Sequence, residues 1–552
     1  MNKIKQYINL IKKLLRIVKD LKIQMICAVF FGAMGHIFAT LIPGLGGYSL
    51  AKLILDKDIN LKTIVGIIFI LAILRAVFKY IEQLFNHYVA FKTLAIIRDK
   101  VFKKLRELGP AKMEEKNKGK LISIITADIE LLEVFYAHTI SPICIAIIHT
   151  LVFLIILYSF SPLYALVLLI SHLILAIIVP IVTEKSARDI GAVQREDLSA
   201  LNSKILEAFK GLKEIINFNY EKTLLKEINN LTRKLNKSTK ILSKKSGENF
   251  ALSSAIIIIA NLIFVIVGAN LYIKNKVDIL GLIFPLTIFI SSFGPTSALS
   301  NLANNLILTF ACAKRVLGLL DEEAEVEENI MGKEIIYNNL ELNKVDFSYD
   351  NTSLIENFNL KANLNQVIGL SGKSGCGKST VIKLIMRFYD TNKGKIYLNN
   401  ENLKTIKTSN LRENISYTSQ ETHLFKGTIR DNLKIAKEDA TEEELIIATK
   451  KANIYEFIAS LEKGFDTEIV KENKLLSTGQ IQRLALARMF LRKSKLYILD
   501  EPTANIDALN EGIILKSLYK EKEDKTIIIS SHRKSSLRIC NNIVKMNREI
   551  ES

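Results

Sequence analysis

Long apolar runs constrain this 552-residue chain more than any other feature. A bilayer core holds no water for backbone N–H and C=O groups, so such a run has to close its own hydrogen bonds as a helix. About 20 residues cross the hydrocarbon. Six segments reach that length: Gln24–Leu45, Ile64–Phe85, Ile140–Tyr158, Tyr164–Val182, Phe250–Ile273 and Ile279–Leu299. An even number of crossings puts both ends of the chain on one side of the membrane.

The charge pattern says which side. The net charge is +19, which alone is compatible with nucleic acid binding. The basic residues, however, gather between spans: Lys92, Arg98, Lys100, Lys103, Lys104, Arg106 and Lys112 follow the second. The link between the third and fourth, Ser159-Phe160-Ser161-Pro162, is uncharged. This is the positive-inside alternation, so the excess charge orients the protein in the membrane and no nucleic acid partner is expected. Both termini are therefore expected in the cytoplasm of a bacterial cell. The connections Lys92–His138 and Glu184–Asn249 are too long for plain loops and keep helical periodicity, as membrane helices continuing into the cytosol would.

Residues Met1 to Lys22 are lysine-studded, with Ile4, Ile8, Ile11, Leu15 and Val18 near helical spacing. They read as a helix on the membrane surface, in contact with lipid, and not as a cleavable signal. The chain has no Trp, which leaves Tyr and Phe for any interfacial belt. Five scattered cysteines, Cys27, Cys144, Cys312, Cys376 and Cys540, with no C-x-x-C pair, form neither a disulfide framework nor a zinc site.

After Leu320 the character changes. Asp321, Glu322, Glu323, Glu325, Glu327 and Glu328 make an acidic linker, followed by alternating strand and helix patterns. The expected division is an all-α membrane domain at 1–320, a linker at 321–338 and an α/β domain with a helical subdomain at 339–552. No internal repeat is visible, so one chain supplies one of each.

The α/β part is organised around Gly372-Lys373-Ser374-Gly375-Cys376-Gly377-Lys378-Ser379-Thr380, between the apolar run Val367–Leu370 and the helical pattern from Val381. This is G-x-x-x-x-G-K-[ST] in its strand–loop–helix setting. The glycines let backbone N–H groups close round a phosphate, and the helix adds its positive dipole end. Lys378 reaches the outer phosphates and Ser379 can hold Mg²⁺. Cys376 is a permitted filler of the loop.

From Tyr349 to His532 the sequence resembles an ATP-binding cassette, and the six preceding spans resemble the exporter-type membrane domain of ABC transporters. The resemblance implies ATP and Mg²⁺ as ligands and assigns roles along the chain. Tyr349 matches the aromatic that stacks on adenine. Gln420, in Tyr417-Thr418-Ser419-Gln420-Glu421, matches the loop glutamine that touches Mg²⁺. In Leu496-Tyr497-Ile498-Leu499-Asp500-Glu501, an apolar strand ends in two carboxylates, Asp500 for the metal and Glu501 for the attacking water. Asp507, in Ala504-Asn505-Ile506-Asp507, fits the D-loop, and His532 matches the switch histidine. Leu476-Ser477-Thr478-Gly479-Gln480 is the signature segment, whose helix faces the nucleotide of the opposite subunit. Thr478 stands where the family favours glycine, and Val470–Lys474 lacks a glycine usual there. Intact Glu501 and His532 beside an altered signature resemble heterodimeric members, so a second, different half-transporter is the expected partner, with a homodimer as the alternative.

A narrower likeness runs from Arg75 through His87 to Pro142. It is similar to the C-type subunit of the heterodimeric transporter linked to cytochrome bd assembly, a family associated with haem and low-molecular-weight thiols. His87 falls where that family has a histidine proposed to contact haem, although Gln83 replaces its usual arginine. A polar residue at a helix end is the plainer reading of His87, and ion pairing that of Arg75, Lys79 and Glu82. The expected activity is ATP-driven export by alternating access. The alternatives are a lipid, peptide or drug exporter, a siderophore-type importer on the exporter fold, and an ATP-gated regulator that transports nothing. Asn117–Ser123 with Asp128, and Glu207–Gly211, resemble the regions that couple the membrane and nucleotide domains.

Overall fold

The structure, a computed structural model, describes all residues except 1, 56–59, 116–117, 301–302, 350–351, 470–475, 505 and 547–552. The chain forms two compact units. One comprises Met1–Lys104 with Lys116–Glu322, the other Leu105–Glu115 with Glu323–Ser552.

The first unit is helical. Among the described residues, six helical stretches are long and apolar enough to cross a membrane: Lys19–Ile54, Leu61–Leu108, Leu121–Phe160, Pro162–Val182, Glu221–Ile273 and Ile279–Leu299. The second and fifth spans belong to helices of 48 and 53 residues, far longer than a bilayer requires. Ser161 breaks the chain between the third and fourth spans, with extended backbone and its side chain capping the helix that begins at Pro162. Among the described residues, π-helical turns interrupt the ladder at Ile124–Asp128, Tyr136–Ile140 and Ile174–Ile178. Stacked rings fill the bundle core, with Phe264 lying 4.1 Å from Phe289 and 4.7 Å from Tyr164.

Two buried histidines inside this unit are met by hydroxyls. His149 meets Thr40 Oγ1 at 3.0 Å, and His172 meets Thr150 at 2.9 Å and Ser292 at 3.2 Å. Both rings are buried and serve packing, whereas His36 lines a cavity of about 120 Å³ with Lys79, Glu82, Gln83, Asn86 and His138. Lys79 is paired with Glu82 at 2.6 Å. The N-terminal helix Asn2–Ile17 does more than rest on a surface. Leu14 and Val18 are buried, and the Leu14 carbonyl accepts from Tyr136 Oη at 3.0 Å.

Asp128, expected in a coupling region, closes one of the π-helical turns and is almost fully buried. It accepts two 2.6 Å bonds from Arg315, in the helix Ala303–Leu320. Part of the expected segment Asn117–Ser123 lies outside the described residues. The segment Leu105–Glu115 belongs to the second unit, where Ala111 sits in the core and its carbonyl accepts from Tyr389 Oη at 3.3 Å. The acidic run is partly paired: Asp321 with Lys13, Glu325 with Lys112 and Glu328 with Arg412.

The second unit contains strands β1 (Asn339–Tyr349), β2 (Thr352–Asn363), β3 (Val367–Ser371), β4 (Lys393–Leu398), β5 (Glu401–Asn402) and β6 (Ile415–Thr418). After them come β7 (Gly427–Thr428), β8 (Glu468–Ile469), β9 (Leu496–Asp500), β10 (Thr526–Ser530) and β11 (Asn542–Lys545). An antiparallel sheet runs β2-β1-β4-β5, and a parallel one β11-β3-β10-β9-β6. Strand periodicity divides the parallel sheet between two cores. Leu496, Ile498 and Ile528 face the antiparallel sheet and the helix Lys378–Ile385, while Tyr497, Leu499, Ile527 and Ile529 face the helical subdomain. Both faces are covered, as a parallel sheet requires.

Removing Arg315 leaves the buried Asp128 carboxylate without its charge partner. Arg315→Met is expected to cost about 1–3 kcal/mol, read as a lower thermal midpoint of the purified protein. Adding Asp128→Asn should recover most of that loss.

Candidate nucleotide site

The site lies at the C-terminal ends of the parallel strands, where loops from several strands converge. Parallel register sets Ser530 beside both Asp500 and Leu370, so the loop after β3 and the acids after β9 flank the end of β10. The loop needs its glycines for different reasons. Gly375 and Gly377 have φ of +82° and +98°, a region open to glycine, and Gly377 caps the helix Lys378–Ile385. A Cβ on Gly372 would lie 2.5 Å from the Met546 carbonyl oxygen. Lys373, Ser374 and Gly375 are exposed at the loop crest, Cys376, Lys378 and Thr380 are buried, and Ser379 lies between. Lys378 Nζ donates to the carbonyls of Gly372 at 2.9 Å and Lys373 at 3.0 Å, which holds the ammonium inside the loop.

Opposite the loop stand the two acids. Asp500 is buried, and its Oδ1 has no hydrogen-bond partner among the described residues. A buried carboxylate oxygen left in this way fits a hard cation such as Mg²⁺ or its water shell. Glu501 follows with φ +48°, an uncommon conformation for a residue with a side chain. Its N–H donates to Ser530 O at 2.9 Å, and its carbonyl accepts from Gln482 Nε2 at 2.8 Å. The carboxylate then gathers two further residues. Gln420 Nε2 donates to Oε2 at 3.0 Å, and His532 Nδ1 meets Oε1 at 3.1 Å. Gln420, Glu501 and His532, far apart in sequence, form one contiguous group.

The other expected residues are placed around it. Tyr349 ends β1 and packs edge-on against Phe347 at 4.9 Å and Tyr389 at 5.2 Å. Ser477 caps the helix Thr478–Arg492 in a reciprocal box with Gln480, while Thr478 is exposed and Gly479 half-buried. Leu476 is half-buried just before it. Val470–Lys474 lies outside the described residues. Asp507 caps the helix Ala508–Lys520 by accepting from Asn510 N at 3.1 Å. His87 belongs to a separate place in the helical unit, stacked on Phe91 at 5.9 Å and 4.0 Å from Glu133 Oε1.

Three residues that sequence reading did not single out hold these loops together. Gln482 joins the signature helix to Glu501, as above. Arg488, on the same helix, donates to His423 O at 3.0 Å and Asn432 O at 2.7 Å, tying that helix to the chain after Gln420. Glu511 accepts from Thr503, Ser535 and Ser536 at 2.9–3.0 Å, behind Asp507 and His532. The only signal for Gln482 was its position two residues after Gln480.

Gln482→Leu should leave the phosphate loop intact but free the Glu501 backbone. Hydrolysis is expected to fall about ten- to a hundredfold, with nucleotide affinity nearly unchanged in a fluorescent-nucleotide titration.

Comparison with known proteins accords with this geometry. Residues 355–504 match the family described as ABC transporter, and residues 25–296 match the ABC transporter transmembrane region. A Haemophilus influenzae protein named "Probable ABC transporter ATP-binding/permease protein" is 38% identical over 96% of this chain and 97% of its own length. An ATP-dependent lipid A-core flippase of Haemophilus influenzae is 30% identical, over 86% of this chain and 82% of its own. The fold resembles that in a structure described as a bacterial Atm1-family ABC exporter with ATP bound. The TM-score is 0.82 at 18% identity, covering 96% of this chain and 94% of that one. A phosphate-binding loop, paired acids at a buried strand end and six membrane-length helices in one chain lead to one conclusion: the protein belongs to the ABC transporters, as an exporter-type member whose ATP hydrolysis is coupled to transport.

Proposed function

We propose that this chain is one half of a dimeric exporter of the bacterial cytoplasmic membrane, working by alternating access. Residues 1–320 form its membrane domain, 321–338 its linker and 339–552 its nucleotide-binding domain, with both termini cytoplasmic. The meeting of Gln420, Glu501 and His532 beside the unpartnered Asp500 oxygen carries this reading. A gate needs only to bind nucleotide, whereas a pump must reset by hydrolysis.

ATP supplies the phosphoryl group passed to water, and Mg²⁺ neutralises its charge. The amides of Gly372–Thr380 and the Lys378 ammonium bind the phosphates, Tyr349 stacks on adenine, and Ser379, Gln420 and Asp500 hold the metal. Glu501 takes the proton of the attacking water on a carboxylate that Gln420 and His532 keep aimed, one at each oxygen. Leu476, Ser477, Thr478, Gly479 and Gln480 face the nucleotide of the second half, and Asp507 lies at the junction.

The second half is a different chain. Thr478 narrows the approach of the signature backbone to a phosphate, so a partner with the complementary defect completes an asymmetric pair. Phe209 and Phe218, 71% and 76% exposed around the helix break at Gly211, favour an additional subunit that covers them. Haem or a low-molecular-weight thiol is the cargo class the likeness around His87 suggests, and the cavity lined by Lys79, Glu82 and His138 supports a polar cargo. A lipid exporter is the second reading, favoured by the relative named as a lipid A-core flippase.

Inverted membrane vesicles test the mechanism. Glu501→Gln is expected to keep ATP binding, lower hydrolysis about 10²–10⁴-fold and abolish ATP-driven uptake of solute; undiminished uptake would refute it. The intact mass of the gently extracted complex tests the partner. Two copies of this chain would overturn the heterodimer, and a second chain would support it.

A further inference from the structure

A groove of about 840 Å³ opens between the end of the N-terminal helix, the first span and the third span. Its walls are almost wholly apolar, including Leu15, Phe30, Met34, Cys144 and Ile148. Lys19 and Lys22 line the groove too, where the N-terminal helix turns into the first span. Among the described residues neither lysine has a carboxylate within ion-pair distance, whereas Lys13 nearby is paired with Asp321. The volume lies within the roughly 300–1,000 Å³ of small-molecule sites, and the Tyr136–Leu14 hydrogen bond holds the helix that forms one wall.

Any membrane helix exposes apolar side chains to lipid, so greasiness alone says nothing. A concave apolar channel with unpaired cations at one end is more specific. It matches a molecule with long hydrocarbon and an anionic head at the membrane interface. We infer that the groove holds a resident anionic phospholipid of the surrounding bilayer, its acyl chain between the first and third spans and its phosphate between Lys19 and Lys22. The lipid is not the cargo. It braces the N-terminal helix against the bundle, and under the orientation proposed above it comes from the cytoplasmic leaflet.

Native mass spectrometry of the purified transporter, titrated with phosphatidylglycerol or with phosphatidylcholine of the same chains, tests this. The wild type is expected to retain phosphatidylglycerol selectively. Lys19→Gln with Lys22→Gln should reduce that retention about thirtyfold, to the level of phosphatidylcholine. Val29→Trp, which fills the groove without touching charge, should lower retention of both lipids. Size-exclusion profile and ATPase activity report that the variants fold. Equal retention of the two lipids, or selective retention untouched by both variants, overturns the assignment. So does efficient Cys144–Cys144 cross-linking between chains in native membranes, which would seat a second copy in the groove.

Discussion

Glu501 stands where β9 stops being a strand, and the nucleotide site depends on how its backbone is held. A left-handed conformation at a residue with a side chain costs on the order of 1–3 kcal/mol and persists only where surroundings over-determine it. Here they do, because the Glu501 N–H is fixed by Ser530 and its carbonyl by Gln482. One bond comes from the neighbouring strand, the other from the signature helix. The turn they enforce aims the carboxylate away from the sheet, where Gln420 and His532 reach its two oxygens. With a β-region φ, Glu501 would continue the alternation of β9 and point into packed core.

The same economy extends outward from this point. Gln482 and Arg488 are on one helix, six residues apart. The first grips the acid, and the second grips the chain just beyond Gln420. Arg533, next to His532, donates to the carbonyls of Ala504 and Ile506, so the segments carrying His532 and Asp507 are tied together. Glu511, held by three hydroxyls and 3.6 Å from Arg533, anchors that tie in the interior. The segments carrying Gln420, Glu501, His532 and Asp507 are thus bonded to one another or to the signature helix. Such a site favours discrete arrangements over gradual deformation.

Much of this could be read from the sequence, for identifiable reasons. The spans were legible because lipid leaves the backbone no alternative to a helix, and the long connections kept helical periodicity. The phosphate loop and the acids at the end of β9 were legible because their chemistry is local: each needs a few residue types at a fixed spacing. What escaped was whatever depends on a distant partner. Asp128 reads as one more acid on a helix until Arg315 arrives from the other end of the unit. The π-helical turns leave no compositional mark, since one extra residue per turn needs no particular side chain. His149 and His172 could equally have faced a path or a core, and only the hydroxyls opposite them decide.

The second span joins these themes. Between Glu82 and Leu108 the sequence contains neither glycine nor proline, and the helix Leu61–Leu108 is unbroken. Lys79 and Glu82 line the polar cavity on this helix, and its last turn begins the segment Leu105–Glu115 that packs in the core with Tyr389. After this stretch, helix-breaking residues come at Gly109 and Pro110, beyond the last turn. A helical stretch with no such residue in its interior resists sharp bending. A displacement imposed on its end is therefore carried along it rather than absorbed at a kink. Within the helical unit, the cavity-lining side chains of Lys79, Glu82, Gln83 and Asn86 are therefore held on one continuous backbone.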